Sequence, residues 1–297
     1  MKISDLLSGN GPAFSFEFFP PKTEEGERRL LETVHRLKAL GPTFVSVTKT
    51  SAKPPEKTIE LTARIKHEIG IEAMAHMTCA TAGRDEMGRI FGLIRDAGIE
   101  NVLALRGDPP RDPPAFVQPL DGFGHATDLV RFIRTRGFSF CLGGACYPET
   151  HQEAASPEDD LRHLVEKVAA GLDFVITQLF YDNGAYFSFL ARARTAGIRL
   201  PIIPGIMPIT NVAQIERIAT LSAARIPEGL QADLDRARDD DAAALAVGVA
   251  YATAQCEELL ARGAPGIHFY TLNQSPATSA ILERLRAEGI GSPAAWP

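Results

Sequence analysis

Glu17 is the ionisable residue whose sequence surroundings most favour chemistry. It lies within residues 16–21, FEFFPP, where aromatic and proline residues surround the carboxyl. Desolvation disfavours the charged form of a carboxyl, so this setting predicts a raised pKa and the role of a general acid. The alternative is a glutamate that points outward and pairs with Lys22. We favour the catalytic role because perturbed carboxyls concentrate at functional sites.

Asp108 is a second candidate, within residues 103–110, LALRGDPP. Gly107 permits close backbone approach, and the prolines stiffen the loop that follows. As an anion, Asp108 could orient a ligand or stabilise a developing cation; equally, it could cap the turn in which it lies. The sequence leaves both interpretations open.

Three further polar residues are candidates for ligand contacts. His76 is either a ligand contact or a hydrogen-bonded core imidazole. His151 stands in a loop that enters a helix, a position suited to phosphate or ribose, although a solvated loop histidine fits the same pattern. Gln178 ends a strongly apolar segment, and its neutral amide can both donate and accept hydrogen bonds.

Eight short apolar segments, which alternate with segments of helical period, must position these residues. The predicted strands are residues 14–19, 44–48, 73–79, 101–107, 139–147, 174–180, 201–208 and 266–273. Several are apolar almost throughout, as strands buried on both faces are. Eight strand–helix units predict an α/β fold, a (β/α)8 TIM barrel in which residues 1–297 form a single domain.

Residues 225–262 interrupt this rhythm and predict extra helices between the seventh and eighth strands. Within them, residues 239–241, DDD, indicate an acidic helix start rather than a metal site. The alternative fold, an open doubly wound sheet, is disfavoured because no GxGxxG or GxxxxGKS/T turn follows any strand. In a barrel, the carboxyl ends of the strands surround the active site. Polar residues expected at that rim are Glu17, Thr48, His76, Thr78, Asp108, Tyr147, Gln178, Thr271 and Asn273.

The composition excludes several functional classes. A formal charge of −6 over 297 residues gives no basic surface for nucleic acid or for an anionic membrane. No apolar stretch reaches the ~20 residues of a membrane span, and the first residues lack a signal-peptide core. The four cysteines show neither a CxxC pair nor a paired metal-ligand spacing, which predicts buried thiols in a reducing cytoplasm and no bound metal.

Eight motifs occur along the chain: residues 15–22 (SFEFFPPK), 44–48 (FVSVT), 75–79 (AHMTC), 104–108 (ALRGD), 147–151 (YPETH), 176–178 (ITQ), 203–208 (IPGIMP) and 268–273 (HFYTLN). Together they resemble the methylenetetrahydrofolate reductases of bacterial type. The motifs stand in family order and cover nearly the whole chain. The resemblance implies a cytoplasmic oxidoreductase of one-carbon metabolism and methionine biosynthesis, which reduces 5,10-methylenetetrahydrofolate to 5-methyltetrahydrofolate.

The resemblance also implies cofactors and residue roles. FAD would lie at the carboxyl ends of the strands; NAD(P)H reduces it and leaves, and the folate then binds the same face and receives the hydride. Glu17 matches the family's general acid, which helps to open the imidazolidine ring to an iminium, and Asp108 matches a carboxylate near flavin and pterin. Gln178 and Gln214 match pterin-side contacts, Gln178 also lying near the nicotinamide. The matched flavin contacts are Thr48, His76, Arg106, Gly107, Ala126, Tyr147, His151, Asp160 and Lys167.

The chain departs from the family pattern mainly on the flavin side. Residues 49–54, KTSAKP, replace a loop whose glycines let the backbone approach the flavin. His125 stands where a tyrosine is common, and Glu166 introduces an acid that would repel a nearby pyrophosphate. Ile218 replaces a stacking aromatic residue, and Gln274 replaces a basic residue that can reach the glutamate tail of the folate.

Two routes for the hydride therefore stay open. Either FAD binds through the matching residues, or NADH delivers hydride directly to a folate held by Glu17, Asp108 and Gln178. Two rival functions also stay open: a pterin-binding barrel methyltransferase, and a folate-binding barrel without turnover. NADH is carried over from the bacterial family, a homo-oligomer is compatible with the sequence, and no nucleic-acid or membrane partner is expected.

Overall fold

The computed structural model describes residues 1–9, 11–49, 54–80, 82–107, 121–274 and 276–290. Its sheet contains β1 (Ala13–Phe18), β2 (Phe44–Val47), β3 (Ala73–Thr78), β4 (Asn101–Leu105), β5 (Cys141–Cys146), β6 (Phe174–Thr177), β7 (Ile202–Ile203), β8 (Gly205–Ile206) and β9 (Gly266–Tyr270). All of the pairings are parallel, and the order is β7-β6-β5-β4-β3-β2-β1-β9-β8. The strands fall within the eight predicted segments apart from Ala13, one residue before the first.

The predicted seventh strand is split by Pro204 into β7 and β8. The first half pairs with β6 and the second half pairs with β9. Proline has no N–H to donate to a ladder, but the Pro204 carbonyl accepts a hydrogen bond from the His268 N–H at 2.9 Å. The ring of strands therefore closes across the interruption, and the predicted (β/α)8 barrel is confirmed.

The helices after α1 lie on the outside of the barrel, whereas α1 precedes β1. The helices are α1 (Ile3–Leu6), α2 (Glu24–Lys38), α3 (Pro55–Arg64, continued by a π-helical turn, Ile65–Ile69), α4 (Arg84–Asp96), α5 (Ala126–Thr135), α6 (Pro157–Ala169), α7 (Asn183–Thr195), α8 (Val212–Ser222), α9 (Glu228–Arg236), α10 (Asp241–Ala261) and α11 (Pro276–Ala287). In the described ranges, none of these helices is long and apolar enough to cross a bilayer.

The extra helices predicted before the eighth strand are confirmed. Three helices, α8 to α10, separate the split seventh strand from β9. The acidic helix start is also confirmed, because the Asp240 side chain caps α10 and accepts hydrogen bonds from the N–H groups of Ala242 and Ala243 at 2.9 and 3.1 Å.

Apolar side chains fill the barrel from its amino end. Phe44, Met74, Leu103 and Phe174 belong to this inner cluster, which Ile3 of α1 completes from below. The Ile3 N–H donates to Asn101 Oδ1 at 2.8 Å, which anchors the short helix across the opening. Since inward and outward positions alternate along a strand, residues two or four positions after this cluster face inward near the carboxyl end.

All four cysteines are buried and free, as the composition predicted: Cys79, Cys141, Cys146 and Cys256. Burial raises the pKa of the Cys79 thiol to about 12, with smaller contributions from its neighbours. The thiols are therefore protonated at neutral pH and act as small apolar side chains in the core.

Candidate active site

A cleft of about 570 Å³ opens at the carboxyl ends of the strands, and we call it the central cleft. Nine of the residues selected from the sequence line it: Glu17, Thr48, His76, Thr78, Arg106, Gly107, Tyr147, His151 and Gln178. They come from β1, β2, β3, β4, β5 and β6 or from the turns directly after them. Parallel strands deliver their carboxyl ends to the same rim, so residues distant in sequence meet in one site.

A second cavity, of about 360 Å³, continues the central cleft toward the amino end of α5 and along one side of α6. It shares Arg106, Tyr147 and His151 with the central cleft, and it adds the predicted flavin contacts Ala126, Asp160 and Lys167 together with His125 and Glu166. The two cavities form one elongated groove. An elongated groove with a helix amino end beside it suits a ligand that carries phosphate at one end.

A third cavity, also of about 360 Å³, lies on the other side of the central cleft and shares Tyr270 with it. Gln214 lines this third cavity together with Asp241 and Gln274. The structure thus places Gln214 beside the central cleft instead of in its lining. Asp108 and residues 50–53 of the atypical loop lie outside the described residues.

Glu17 lies between two imidazoles inside the barrel. Its Oε2 is 3.3 Å from His268 Nε2 and 3.6 Å from His76 Nε2. Burial raises the pKa of the Glu17 carboxyl, but the charge interaction with His76 and the hydrogen bond from His268 outweigh burial, so the pKa is lowered. The predicted raised pKa is therefore wrong for this structure. That prediction was based on the flanking phenylalanines. The groups that face the carboxyl in the structure lie instead on β3 and β9.

The end of β9 braces β1 next to Glu17. The Thr271 hydroxyl donates to the Glu17 carbonyl at 2.6 Å. The Asn273 side chain accepts from the Phe19 N–H at 2.7 Å and donates to the Phe19 carbonyl at 2.9 Å. Leu272 and Asn273 take left-handed backbone conformations, with φ of 50° and 63°. These bonds compensate for the backbone strain and fix the position of the acidic strand.

Two buried polar atoms in the central cleft have no hydrogen-bond partner within the described chain. They are Thr48 Oγ1 and His76 Nε2. A buried polar atom without a partner costs about 1–3 kcal/mol, so such atoms point to a missing partner. Both residues belong to the flavin contacts implied by the resemblance, and both line the central cleft.

The His76 environment predicts a loss of stability in acid. Burial lowers the pKa of His76 from 6.5 to about 4, a shift that the nearby Glu17 only partly offsets. The unfolded chain therefore binds a proton that the folded protein does not bind between these pKa values, and stability falls as the pH drops through this window. We expect the free energy of unfolding of the native protein to fall by about 2 kcal/mol more than that of His76→Gln between about pH 7.5 and about pH 4.5. Both are measured by equilibrium unfolding in urea.

The contributions of His76 and Glu17 to the loss of stability fall in different pH ranges. A lowered Glu17 pKa also costs stability in acid, but only below the ordinary carboxyl pKa of 4.5. Equal losses for the native protein and His76→Gln above this range would show that His76 titrates normally. His35→Gln, an exposed histidine on α2, serves as the control and should follow the native protein.

Charged side chains in the second cavity are already engaged with protein groups. Arg106 forms a two-bond ion pair with Glu153, the longer bond measuring 2.9 Å. The Lys167 ammonium donates to the Ala145 carbonyl at 2.6 Å, and burial lowers the pKa of Lys167. Asp160 accepts a hydrogen bond from the His151 N–H at 3.0 Å, so its carboxylate positions that loop.

The acid that departs from the family pattern is neutralised locally. Glu166 lines the second cavity, but its carboxylate forms an ion pair with Arg162 at 2.8 Å. An ion pair of this kind reduces the repulsion that Glu166 would exert on a phosphate. His125 directly precedes α5 in the same lining.

The sequence predicts no ligand role for two residues that line the site, Tyr270 and Lys49. Tyr270 lines both the central and the third cavity, and its hydroxyl donates to the Thr177 carbonyl at 2.7 Å. Gly205 makes room for this ring, because a Cβ there would lie 2.6 Å from Tyr270 Cε2. Lys49 lines the central cleft, and burial lowers its pKa. Strand alternation could have identified Tyr270, which is two positions beyond the inward-facing His268.

Together, the fold and the clefts define a (β/α)8-barrel protein whose ligand site is built from the carboxyl ends of its strands. The chain belongs to the methylenetetrahydrofolate reductase family, because the sequence profile described as methylenetetrahydrofolate reductase matches residues 2–286.

Two curated relatives illustrate the similarity. Methylenetetrahydrofolate reductase (NADH) 1 of Arabidopsis thaliana is 41% identical over 295 residues, covering 96% of this chain and 50% of the relative. Methylenetetrahydrofolate reductase 1 of Schizosaccharomyces pombe is 36% identical over 292 residues, covering 96% and 48%. The chain thus spans about half the length of these relatives.

Solved structures of low sequence identity share the fold. An uncharacterised protein from Clostridium thermocellum, described as binding two copies of 5-methyl-5,6,7,8-tetrahydrofolic acid, aligns with a TM-score of 0.66 at 15% identity, covering 95% of this chain and 97% of that one. A dihydropteroate synthase from Xanthomonas albilineans aligns with a TM-score of 0.51 at 15% identity, covering 94% of each chain.

Proposed function

We propose that this protein reduces 5,10-methylenetetrahydrofolate to 5-methyltetrahydrofolate, with NADH as the source of the hydride. Family membership supports the reaction, and the names of the plant relatives support NADH. The observation that carries the proposal is the buried Glu17 carboxyl in the central cleft, held by His268 and surrounded by the residues that match the family motifs.

The product defines what the acid must do. A methyl group on N5 requires that the bond between the bridging carbon and N10 breaks, with its electron pair left on N10. We assign to Glu17 the transfer of a proton to N10, which makes that nitrogen a leaving group and produces an iminium at N5. Hydride then adds to the iminium carbon to form the methyl group.

The lowered pKa of Glu17 has a consequence for this step. Because its pKa is lowered, Glu17 is a carboxylate at neutral pH in the free protein, where the hydrogen bond from His268 opposes the effect of burial. A ligand that fills the cleft removes the remaining water from the carboxyl, and desolvation raises a carboxyl pKa. We therefore expect Glu17 to take up its proton when the folate binds.

The residues of the groove fit FAD. The unpartnered Thr48 and His76 atoms in the central cleft can receive the polar edge of a flavin ring, and the second cavity continues toward the amino end of α5. The residues that would hold the cofactor are Thr48, His76, Arg106, Gly107, Ala126, Tyr147, His151, Asp160 and Lys167. When bound, FAD would supply the means to accept hydride from NADH and pass it to the folate.

Two glutamines and one aspartate complete the proposal on the folate side. The side-chain carbonyl oxygen of Gln178 accepts a hydrogen bond from the Leu179 N–H at 2.9 Å. The side-chain NH₂ is therefore the group that can donate to a pterin or a nicotinamide. Gln214 lines the adjoining third cavity, which is accessible to a ligand that extends past Tyr270. Asp108 would stabilise the cationic iminium by its charge.

The visible spectrum of the purified protein tests the route of the hydride. We expect a yellow protein that NADH bleaches and that methylenetetrahydrofolate then recolours. A colourless protein that oxidises NADH only when the folate is present would refute the FAD assignment and support direct transfer. Absence of any reaction with both substrates would refute the reductase, and folate binding without turnover would then define a binding protein.

Cytoplasmic location is part of the proposal, because all four cysteines are free thiols.

A further inference from the structure

Three buried polar side chains form a row inside the barrel, below the central cleft. They are Glu17, His268 and Ser15, and His268 has no exposed surface at all. His268 Nε2 faces Glu17 Oε2 at 3.3 Å, and His268 Nδ1 faces Ser15 Oγ at 2.8 Å. Phe44 packs beside the imidazole, with ring centroids 6.1 Å apart and planes inclined by 19°.

The row determines the imidazole tautomer. A carboxylate only accepts hydrogen bonds, so the nitrogen that faces Glu17 must carry a hydrogen when Glu17 is ionised. In a neutral imidazole the other nitrogen then has no hydrogen and accepts a bond, here from the Ser15 hydroxyl. Glu17 therefore sets the tautomer, and the Ser15 hydroxyl supplies the bond that the bare Nδ1 accepts.

The same bond fixes which carboxyl oxygen holds the acidic proton. Glu17 Oε2 accepts from the His268 donor at 3.3 Å and also faces His76 Nε2 at 3.6 Å, beyond hydrogen-bond distance, whereas the described residues supply no hydrogen bond to Oε1. A proton on Oε2 would point at an N–H group that already occupies that oxygen, so the protonated acid carries its hydrogen on Oε1. Glu17 borders the central cleft, where a ligand nitrogen can meet this hydrogen.

We propose that His268 and Ser15 are positioning residues, which act in series to keep the acidic proton of Glu17 on the oxygen available to the ligand. The proposal rests on the proposed reductase function. In the proton transfer, the Glu17 O–H bond breaks, the proton goes to N10 of the folate, and Glu17 is left as a carboxylate. His268 keeps its Nε2–H throughout and donates more strongly to the carboxylate that forms, which favours the transfer.

The tautomer can be tested without cofactor or substrate. In ¹⁵N-histidine-labelled protein at neutral pH, the resonances missing from His268→Gln identify His268. Because Glu17 is ionised, we expect the native protein and Ser15→Ala to show the Nε2–H tautomer, with the Nδ1 resonance shifted in Ser15→Ala by the loss of the Ser15 donor. An Nδ1–H tautomer in the native protein would overturn the proposal, and this measurement holds even if Ser15→Ala fails to fold.

Kinetics separate a positioning role from a structural one. We expect Ser15→Ala to lower kcat for folate reduction by about 10- to 100-fold, with NADH oxidation by an artificial acceptor unchanged. Ser46→Ala is the matched control, since Ser46 is fully buried on β2 in register with Glu17 and its Oγ has no partner in the described chain. This control should stay within about twofold of the native rate.

A double variant tests whether Ser15 acts through His268. The side-chain amide introduced by His268→Gln can donate to Glu17 without needing a tautomer, so adding Ser15→Ala to His268→Gln should change kcat by less than about twofold. Fully additive effects would overturn the series arrangement. If the native protein does not reduce the folate, the reductase proposal fails, while the tautomer measurement still decides the arrangement of the row.

Discussion

Glu17→Gln is expected to lower methylenetetrahydrofolate reduction by about 1,000-fold, within the range for loss of a general acid. The amide has nearly the same shape as the carboxyl, and its carbonyl oxygen can still accept from His268. The variant should therefore fold normally but have no proton to give to N10. The rate of folate reduction is measured with NADH, and NADH oxidation by an artificial acceptor is measured in parallel and should change by less than about twofold.

Glu72→Gln is the matched control for this experiment. The Glu72 side chain is 9% exposed and that of Glu17 is 10% exposed, but Glu72 pairs with Lys66 and lies away from the central cleft. Its replacement should leave folate reduction unchanged. Folate reduction by Glu17→Gln at the native rate would refute the acid role, and equal loss of both activities would indicate a structural defect.

Gly248→Ala is expected to destabilise the protein by about 3 kcal/mol, at the upper end of the usual cost of overpacking. Gly248 lies inside α10, where a Cβ would stand 2.2 Å from the Ile209 carbonyl oxygen and 2.7 Å from Ile209 Cβ. Ile209 follows β8 and is buried, so the helix must move away from the barrel to admit a methyl group. The free energy of unfolding is measured by equilibrium denaturation in urea.

Gly92→Ala provides the comparison within another helix. A Cβ at Gly92 of α4 would meet nothing within 4 Å. Alanine favours the helix over glycine by about 0.5–1 kcal/mol, so this variant should be slightly more stable than the native protein. Similar stabilities for the two variants would contradict the close contact between α10 and the segment after β8.

The sequence determined the architecture and most of the site. Eight apolar segments that alternate with helical periods define a barrel, and a barrel brings the carboxyl ends of its strands to one rim. That rule alone places Glu17, His76 and Gln178 in one cleft, where the structure has them. Helix ends can also be predicted from the sequence, because capping depends on residues adjacent in the chain. The Asp240 cap of α10 is an example.

Only the tertiary structure decided what faces each side chain. The Glu17 pKa was predicted from neighbours along the strand, but those neighbours point to the other face of the sheet. The carboxyl instead meets His268, which is 251 positions away in the chain. Closure of the barrel at Pro204 and the contact between Ser15 and His268 are likewise long-range. Adjacent residues fix the local conformation, whereas electrostatics depends on distance in space, which the chain acquires only when the barrel closes.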